Sequence, residues 1–295
     1  MVFIDLFSWH GIHYSLKNII MNRTSISVYL LLLSLTAASQ DSTKRQYTIF
    51  KPVPKELMRK DMETDRPDIT ESPFTVDAGH IQYESDFVRL KSSTENGILN
   101  KQTLVEPFTL KLGIAARVDI QFAWEPYRNE EHKGSDGSDS TYRNPGSVGI
   151  RFKYNLLGNY KGNFSLAILP YMRFPTHRFF EHHGLEYGLM LPAEWKINDK
   201  WALGFQEEAD IMSTEEGHAF QVLQSVVLDY ELADKCKFIA ETFYTYDFSE
   251  HSIANFVNCG IQYDVVKNFA LDGGIQQGLS HDAGHQYYIG LSWRL

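Results

Sequence analysis

From residue 79 onward, apolar and polar residues alternate with a period of two along most of the chain. In the last segment, one face carries Tyr287, Ile289, Leu291, Trp293 and Leu295. This alternation is typical of β-strands that turn one face to an apolar environment and the other to a polar one. It predicts twelve strands, near 79–90, 104–112, 116–125, 147–155, 163–174, 184–196, 201–212, 218–231, 236–247, 253–265, 269–279 and 285–295.

The lengths of these segments favour strands that cross a membrane. Strands of soluble proteins average about 5 to 6 residues, whereas a tilted membrane-spanning strand needs about 9 to 11. Short polar links are expected at 197–200, 232–235 and 266–268, and longer ones at 126–146, 175–183, 213–217, 248–252 and 280–284. Such alternation of short and long links is typical of outer-membrane barrels. We therefore predict an all-β fold, a transmembrane antiparallel β-barrel of about twelve strands with a short N-terminal leader or plug.

A soluble β-sandwich or a lipocalin-like barrel would show the same alternation with its apolar face turned inward. The pattern alone does not distinguish these folds. Strand length, the even number of strands and an export signal together favour the membrane barrel. Aromatic residues at predicted strand ends, such as Trp195, Trp201 and Trp293, also suit the two interfacial girdles of such a barrel.

The first 39 residues have the layout of a secretory signal peptide. Arg23 is followed by a short apolar stretch at 26–35 and by the small residues Ala37, Ala38 and Ser39, which is the order of regions in such signals. The signal is complete from Met21, so residues 1–20 are interpreted as an extension of the gene model. We predict three regions: 1–39 as signal peptide, 40–78 as an extended periplasmic leader or mouth plug, and 79–295 as the barrel.

Composition narrows the function further. The 295 residues carry a net charge of −9 and only 2 cysteines. No nucleic-acid partner is expected, because phosphate binding needs a concentrated basic face. No cofactor is expected either, and two cysteines are too few for a disulfide framework. Cys236 and Cys259 lie on neighbouring predicted strands about four residues out of register, which predicts two free thiols in the membrane.

Charged residues occupy the predicted strand faces opposite the apolar ones. An Arg or Lys turned to lipid at mid-bilayer costs about 2 to 4 kcal/mol, so these side chains should line the lumen. The predicted lumen-lining residues are Glu84, Asp86, Arg117, Asp119, Arg151, Lys153, Glu194, Glu208, Asp210, Glu241, Asp272 and Arg294. Either a pore lined by both signs or a lumen filled by structural ion pairs fits this set.

The leader ends in a cluster of charges directly before the first strand. Asp65, Arg66, Asp68 and Glu71 place one cation among three acids. A guanidinium is well suited to two-point pairing with carboxylates. We expect this segment to fold back into the barrel mouth and constrict it, with Arg66 paired to lumen carboxylates such as Glu84 or Asp86; the alternative is a solvated periplasmic tether.

The sequence TDRPDITESPFTV at 64–76, followed by GHIQYE at 79–84, resembles a known family. It is similar to the opening of the transporter-like family named for the meta-cleavage pathway of phenol degradation. The later segments GSVGIRFKYNL, FSLAILPYMRFPT, GLEYGLMLPAEWKINDKWALGFQEEADI and FALDGGIQQGLS fit that family in order and spacing. The resemblance covers 64–295. It implies a Gram-negative outer-membrane barrel, with outer-membrane lipids, the barrel-assembly machinery and a small, aromatic or apolar solute as partners. The C-terminal Leu295 departs from the usual Phe or Trp.

Three other functions remain open at this stage. Histidines gather in the predicted outer loops, and His182 and His183 are weak candidates for a metal site, without a defined ligand spacing. Ser280 beside His281, or Ser249 near His251, would suit an outer-membrane hydrolase only if the fold brought each pair into hydrogen-bond geometry. A closed structural barrel is the third alternative. We expect a passive transporter or channel rather than an enzyme.

Overall fold

A computed structural model describes residues 44–95, 97–135, 137–176, 184–214, 217–280 and 283–295. The predicted signal peptide lies outside the described residues. A 3₁₀ helix at Lys55–Leu57 precedes fifteen strands within the described part. The strands are β1 (Ile81–Glu95), β2 (Ile98–Val105), β3 (Phe108–Ala115), β4 (Val118–Trp124), β5 (Tyr127–Lys133), β6 (Asp139–Asn144), β7 (Val148–Leu157), β8 (Phe164–Phe174), β9 (Glu186–Lys196), β10 (Trp201–Thr214), β11 (Gly217–Ala233), β12 (Cys236–Asp247), β13 (Ser252–Val266), β14 (Phe269–Gly278) and β15 (His285–Arg294).

The strands form one antiparallel sheet that closes on itself. From β7 to β15 each strand pairs with the next in sequence, and β15 pairs with β1 from Gln82↔Arg294 to Ser92↔His285. Closure removes the sheet edges, so the backbone N–H and C=O groups of the strands find hydrogen-bond partners inside an apolar layer. We call the rim that carries Ile81 and Arg294 the termini end and the opposite rim the far end.

Twelve strand positions surround the barrel, as predicted. β2 continues the line of β3, β5 that of β4, and β6 that of β7, so three long strands are each named in two parts. The interruptions fall at Glu106–Pro107, Glu125–Pro126 and 145–147. Proline supplies no donor to a ladder, which explains why the pairing stops there.

Two predictions about connections are wrong. The link expected at 126–146 is largely the hairpin of β5 and β6, and the strand expected at 104–112 begins at Ile98. The run YRNEEHK in β5 is polar on both faces, so it carries no alternation to find. The link expected at 213–217 is also mostly strand, because β10 runs to Thr214 and β11 starts at Gly217.

Burial shows which face of each strand is apolar. The largest fully buried side chains include Lys153, Gln82, Gln121, Gln206 and Asp119, whereas Ile150, Phe152, Ile261 and Ile289 are among the large apolar side chains that are exposed. A lipocalin-like barrel would have the opposite arrangement. The apolar faces therefore point outward to lipid, and the lumen is polar.

Aromatic side chains cluster at both rims of this apolar surface. At the termini end, the ring centroids of Trp201 and Tyr230 are 4.2 Å apart. At the far end, Phe220 and Phe248 are 5.0 Å apart, and Tyr246 packs edge-on against Phe248. Such belts match the two membrane–water interfaces. Among the described residues, no helix is long and apolar enough to cross a membrane.

Candidate functional site: a segment inside the lumen

The plug segment, residues 64–76, lies inside the barrel and follows its inner wall. Its hydrogen bonds and ion pairs reach β1, β3, β4, β7 and every strand from β10 to β14. The segment has no regular secondary structure, so its backbone groups need partners from side chains. Lumen-facing polar residues supply those partners.

Arg66 ties the segment to β1 and β14, the two strands on either side of β15. Its Nε lies 3.1 Å from Asp272 Oδ2 and its Nη2 lies 2.6 Å from Asp272 Oδ1, while Nη1 forms an ion pair with Asp86. Arg66 is 9% exposed. One buried guanidinium thus forms ion pairs with two buried carboxylates. The partners are Asp86 and Asp272, whereas Glu84 pairs with Lys111.

Asp65 anchors the opposite side of the segment. It pairs with Lys111 and with Lys153, whose Nζ lies 3.1 Å from Asp65 Oδ1, and it accepts a hydrogen bond of 2.9 Å from the Ser72 backbone N–H. Burial would raise the pKa of the Asp65 carboxyl, but the two ammonium groups outweigh burial and hold it well below its ordinary value. The carboxylate therefore stays ionised at neutral pH.

Glu241 of β12 holds the middle of the segment. It accepts hydrogen bonds from the backbone N–H groups of Ile69 (3.0 Å) and Thr70 (2.8 Å), and from the Thr70 hydroxyl (2.6 Å). The next N–H, that of Glu71, donates to Gln206 Oε1 at 2.8 Å. Three successive backbone donors are satisfied by the wall, which fixes the path of the chain.

Two acids of the segment lie where ionisation is unfavourable. Burial, and after it the Asp65 carboxylate, raises the pKa of Glu71 to about 7, although Arg151 and Lys153 lie close enough to pair with it. Burial, and after it Glu241 and Asp229, raises the pKa of Asp68 well above its ordinary value. Protonation of either group therefore favours the seated segment.

The chain on both sides of the segment is held at the termini end. His80 contacts the backbone oxygens of Val53 and Leu295 through its two ring nitrogens, at 2.7 and 2.9 Å. Arg59 stacks on Phe74, with its guanidinium 4.3 Å from the ring centroid. These contacts join the leader, the first strand and the last residue.

The structure places the predicted lumen residues in three groups. Glu84, Asp86, Arg151, Lys153, Glu241, Asp272 and Asp119 contact the plug segment, the last through the Val76 N–H at 3.1 Å. Glu194, Glu208 and Asp210 line the lumen beside it; Asp210 accepts a hydrogen bond from Tyr171 and Glu208 one from Gln206. Arg294 donates to backbone oxygens of Arg59 and Asp61 at the termini end.

Arg117 is a correction, because it does not lie on a strand face. It occupies the turn between β3 and β4 and donates to the Leu156 backbone oxygen at 3.4 Å. The apolar and polar alternation begins one residue later, at Val118. Side chains in turns do not alternate between two faces, so the alternation pattern was wrong to assign Arg117 to the lumen-facing side of a strand.

Several lumen cations were not among the predicted residues, and Lys111, Arg89 and Lys91 show why. Lys111 shares a face with Thr109 and Gly113, so strict alternation would have found it. Arg89 and Lys91 could not be found this way, because β1 carries one extra residue between Asp86 and Val88 relative to β15. This bulge turns Phe87 outward, 49% exposed, and moves the following odd-numbered residues to the lumen side.

Two cavities lie on the far side of the plug segment. The lumen cavity, of about 390 Å³, has Arg66, Asp68 and Glu71 in its floor and the lumen-facing Leu104, Met190 and Leu223 in its wall. The vestibule, of about 620 Å³, is lined by β2, β5 and β6 residues such as Gln102, Arg128, Glu130 and Tyr142. Lys91, Glu125, Ser147 and Arg173 line both. We call these four the neck.

Within the described residues, the geometry supports neither the metal site nor the hydrolase site. His182, His183 and His281 lie outside them, and the described residues contain no group of three potential metal ligands. The Ser249 hydroxyl donates to Asp247, while His251 contacts Tyr246. Ser280 accepts a hydrogen bond from the Asn255 N–H.

Comparison with solved structures identifies the same architecture elsewhere. An outer-membrane channel from Pseudomonas putida F1 has a TM-score of 0.58 at 12% identity, covering 79% of this chain and all of that one. The NanC porin (TM-score 0.45, 11% identity, 70% and 100% coverage) and the translocator domain of the autotransporter NalP from Neisseria meningitidis (0.44, 10%, 73% and 88%) are also similar. At 12% identity, the likeness to the Pseudomonas putida F1 channel shows the fold alone.

Sequence comparison gives the family. A search of curated proteins finds no match. The family described as "Putative MetA-pathway of phenol degradation" matches residues 64–295, which include the plug segment and all fifteen strands. The match starts at the first residue of the plug segment, so the family signature includes the part of the leader that enters the lumen. The chain therefore belongs to this family.

Proposed function

We propose that the protein is an outer-membrane channel for passive movement of small solutes, closed at rest by the plug segment. The observation that carries this proposal is the location of residues 64–76 inside the lumen, bonded to nine of the twelve strand positions. From the far end, the vestibule and then the lumen cavity lead to the plug segment. Export through the signal at 1–39 would bring the barrel to the outer membrane.

The size and lining of the lumen cavity suit a small, amphipathic or aromatic solute. About 390 Å³ is at the lower end of the usual range of small-molecule sites. Part of its wall is apolar, with Leu104, Met190 and Leu223, and the floor is charged. The similar fold of a Pseudomonas putida F1 outer-membrane channel agrees with a channel role.

Deletion of residues 40–76 tests this proposal. The parent and the deletion variant are reconstituted in planar bilayers, with Lys200→Ala, in an exposed turn at the termini end, as the control. We expect low or intermittent current from the parent and the control, and a steady, larger current from the deletion variant. Heat-modifiable gel migration reports that each barrel is folded. A folded deletion variant that passes no current would establish a closed structural barrel instead.

A further inference from the structure

The bulge in β1 places two cations in the lumen above the plug segment. Arg89 pairs across the strands with Tyr288, and its guanidinium lies 5.5 Å from that ring. Lys91 follows two residues later, opposite Gln102 on one side and Gln286 on the other. Neither neighbour of Lys91 can neutralise its charge. The ammonium group therefore faces the aqueous lumen from between two neutral amides.

Lys91 lies where the internal spaces of the far half meet. It lines the lumen cavity, the vestibule and a third cavity of about 360 Å³ next to His132, Phe256 and Gln286. Within the described residues, it is the side chain common to all three. Any solute that passes from the vestibule to the lumen cavity must go by this ammonium group.

The guanidiniums around Lys91 are each paired with a carboxylate. Arg89 pairs with Asp86, Arg128 with Glu125 and Glu130, and Arg173 with Glu186. Among the described residues, Lys91 has no acidic side chain within ion-pair distance, and the charges that act on it most are those of Arg89, Glu125, Arg128 and Arg173. Because the surrounding guanidiniums are paired with carboxylates, the Lys91 ammonium is the cation here that is left to bind the anionic group of a solute.

The geometry points to an anion site at the neck, in which the Lys91 ammonium, with Arg173 beside it, binds the carboxylate of a small organic acid whose apolar body lies against the lumen-facing Leu104. An ammonium group recognises a carboxylate through charge-assisted hydrogen bonds. Leu104 lies two residues along β2 from Gln102, the cross-strand partner of Lys91, and lines the lumen cavity together with Lys91 and Arg173, so one molecule can contact all three side chains. This inference names the solute class of the proposed channel, so it rests on the proposed function. Its test measures binding and does not depend on channel activity.

Binding to the full chain in detergent tests the site, with benzoate as the probe and benzyl alcohol as its neutral counterpart. Titration calorimetry is performed on the parent, Lys91→Met, Lys91→Arg and the control Lys200→Met. We expect benzoate to bind the parent more tightly than benzyl alcohol. Lys91→Met should weaken benzoate about tenfold or more, because a hydrogen bond to a charged group is lost. Lys91→Arg should retain most of the affinity, and Lys200→Met all of it.

Three results would overturn the anion site: equal binding of the two probes, undiminished benzoate binding by Lys91→Met, or no benzoate binding by the folded parent. If Lys91→Met does not fold, Lys91→Gln replaces it with a shorter polar side chain. The titration requires no ion flow. A barrel that binds benzoate through Lys91 but stays silent after deletion of 40–76 would reject the channel and keep the site, and the reverse outcome would do the opposite.

Discussion

Arg66 and Asp272, 206 positions apart in sequence, form a two-point ion pair inside the barrel, with N–O distances of 3.1 and 2.6 Å. The pair joins a segment without secondary structure to the wall of a rigid sheet. Both side chains are buried. Loss of one partner from such a pair leaves the other charge without compensation, which costs about 3 to 5 kcal/mol.

Arg66→Ala should therefore loosen the plug segment without disrupting the barrel. Asp86 and Asp272 would repel each other once the guanidinium is absent. We expect higher single-channel conductance or greater leakage of small solutes than in the parent. Arg66→Lys should be intermediate, because an ammonium group cannot span both carboxylates with the same fork.

The double variant Arg66→Ala/Asp272→Asn provides the check on this explanation. Removing the second charge relieves the repulsion, so the double variant should conduct less than Arg66→Ala alone, a non-additive result typical of contacting residues. Parent-like current from every variant would mean that Arg66 does not hold the segment.

Low pH should stabilise the plug segment in its position inside the lumen, because Glu71 becomes protonated. Its pKa is raised from 4.5 to about 7 in the seated state, so the seated segment retains a proton that the released segment loses. The groups that face it are Asp65, Arg151, Lys153 and Glu208. The stabilisation is complete below about pH 4.5, declines as the pH rises towards 7, and is absent above the folded-state pKa.

Current should accordingly rise between about pH 4.5 and 7, the span between the ordinary pKa of Glu71 and its pKa in the seated segment. Glu71→Gln mimics the protonated acid, so it should remain near its acidic level of current at pH 8. Asp68, whose pKa is also raised, acts with the same sign. Asp65 does not titrate in this range, because its pKa is lowered. An unchanged pH profile in the combined Glu71→Gln/Asp68→Asn variant would contradict this explanation.

The sequence was sufficient for the fold, because alternation, strand length and strand number are local properties. β7 shows this, since Ile150, Phe152 and Tyr154 are exposed and Lys153 is buried, as the pattern predicts. The alternation pattern gave no assignment or a wrong one where strict alternation was absent or interrupted. β5 is polar on both faces, and the extra residue at Phe87 reverses the face assignment for Arg89 and Lys91.

The partners inside the lumen were less predictable than the residues that line it. A chain segment near the barrel mouth and a guanidinium among acids indicated that Arg66 pairs with lumen carboxylates. The sequence did not indicate Asp272 in particular, because barrel closure between β1 and β15 brings β14 near β1. Likewise, nothing local marks Glu241 as the acceptor for the backbone of Ile69 and Thr70.

A steric change should displace the segment without altering any charge. Gly260 on β13 faces Pro67, and a Cβ at Gly260 would lie 2.6 Å from Pro67 Cγ, well inside van der Waals contact. Gly260→Ala should push Pro67 away from the wall and raise the current. Gly149→Ala is the matched control, because it also lines the lumen cavity and its Cβ would lie at an ordinary 3.4 Å from Ala123. Equal currents from the two variants would show that this contact does not seat the segment.

The two cysteines test which face of the barrel meets lipid. Both are free, as predicted, and Cys236 pairs across the hairpin with Tyr263, four residues from Cys259. Cys259 is exposed on the outer face, beside the buried Asn258 that faces the lumen. A thiol in the lipid layer meets little water and is accessible to apolar reagents.

A spin label at Cys259, in a Cys236→Ser background, should therefore be relaxed strongly by molecular oxygen and weakly by a water-soluble nickel complex in lipid vesicles. A label at Ser252→Cys, at the far-end turn in a chain lacking both native cysteines, should respond in the opposite way. Oxygen partitions into hydrocarbon and the charged complex stays in water, so the ratio of the two effects reports depth. Strong relaxation of the Cys259 label by the nickel complex would place that strand face in water and reject the assignment of the apolar face to lipid.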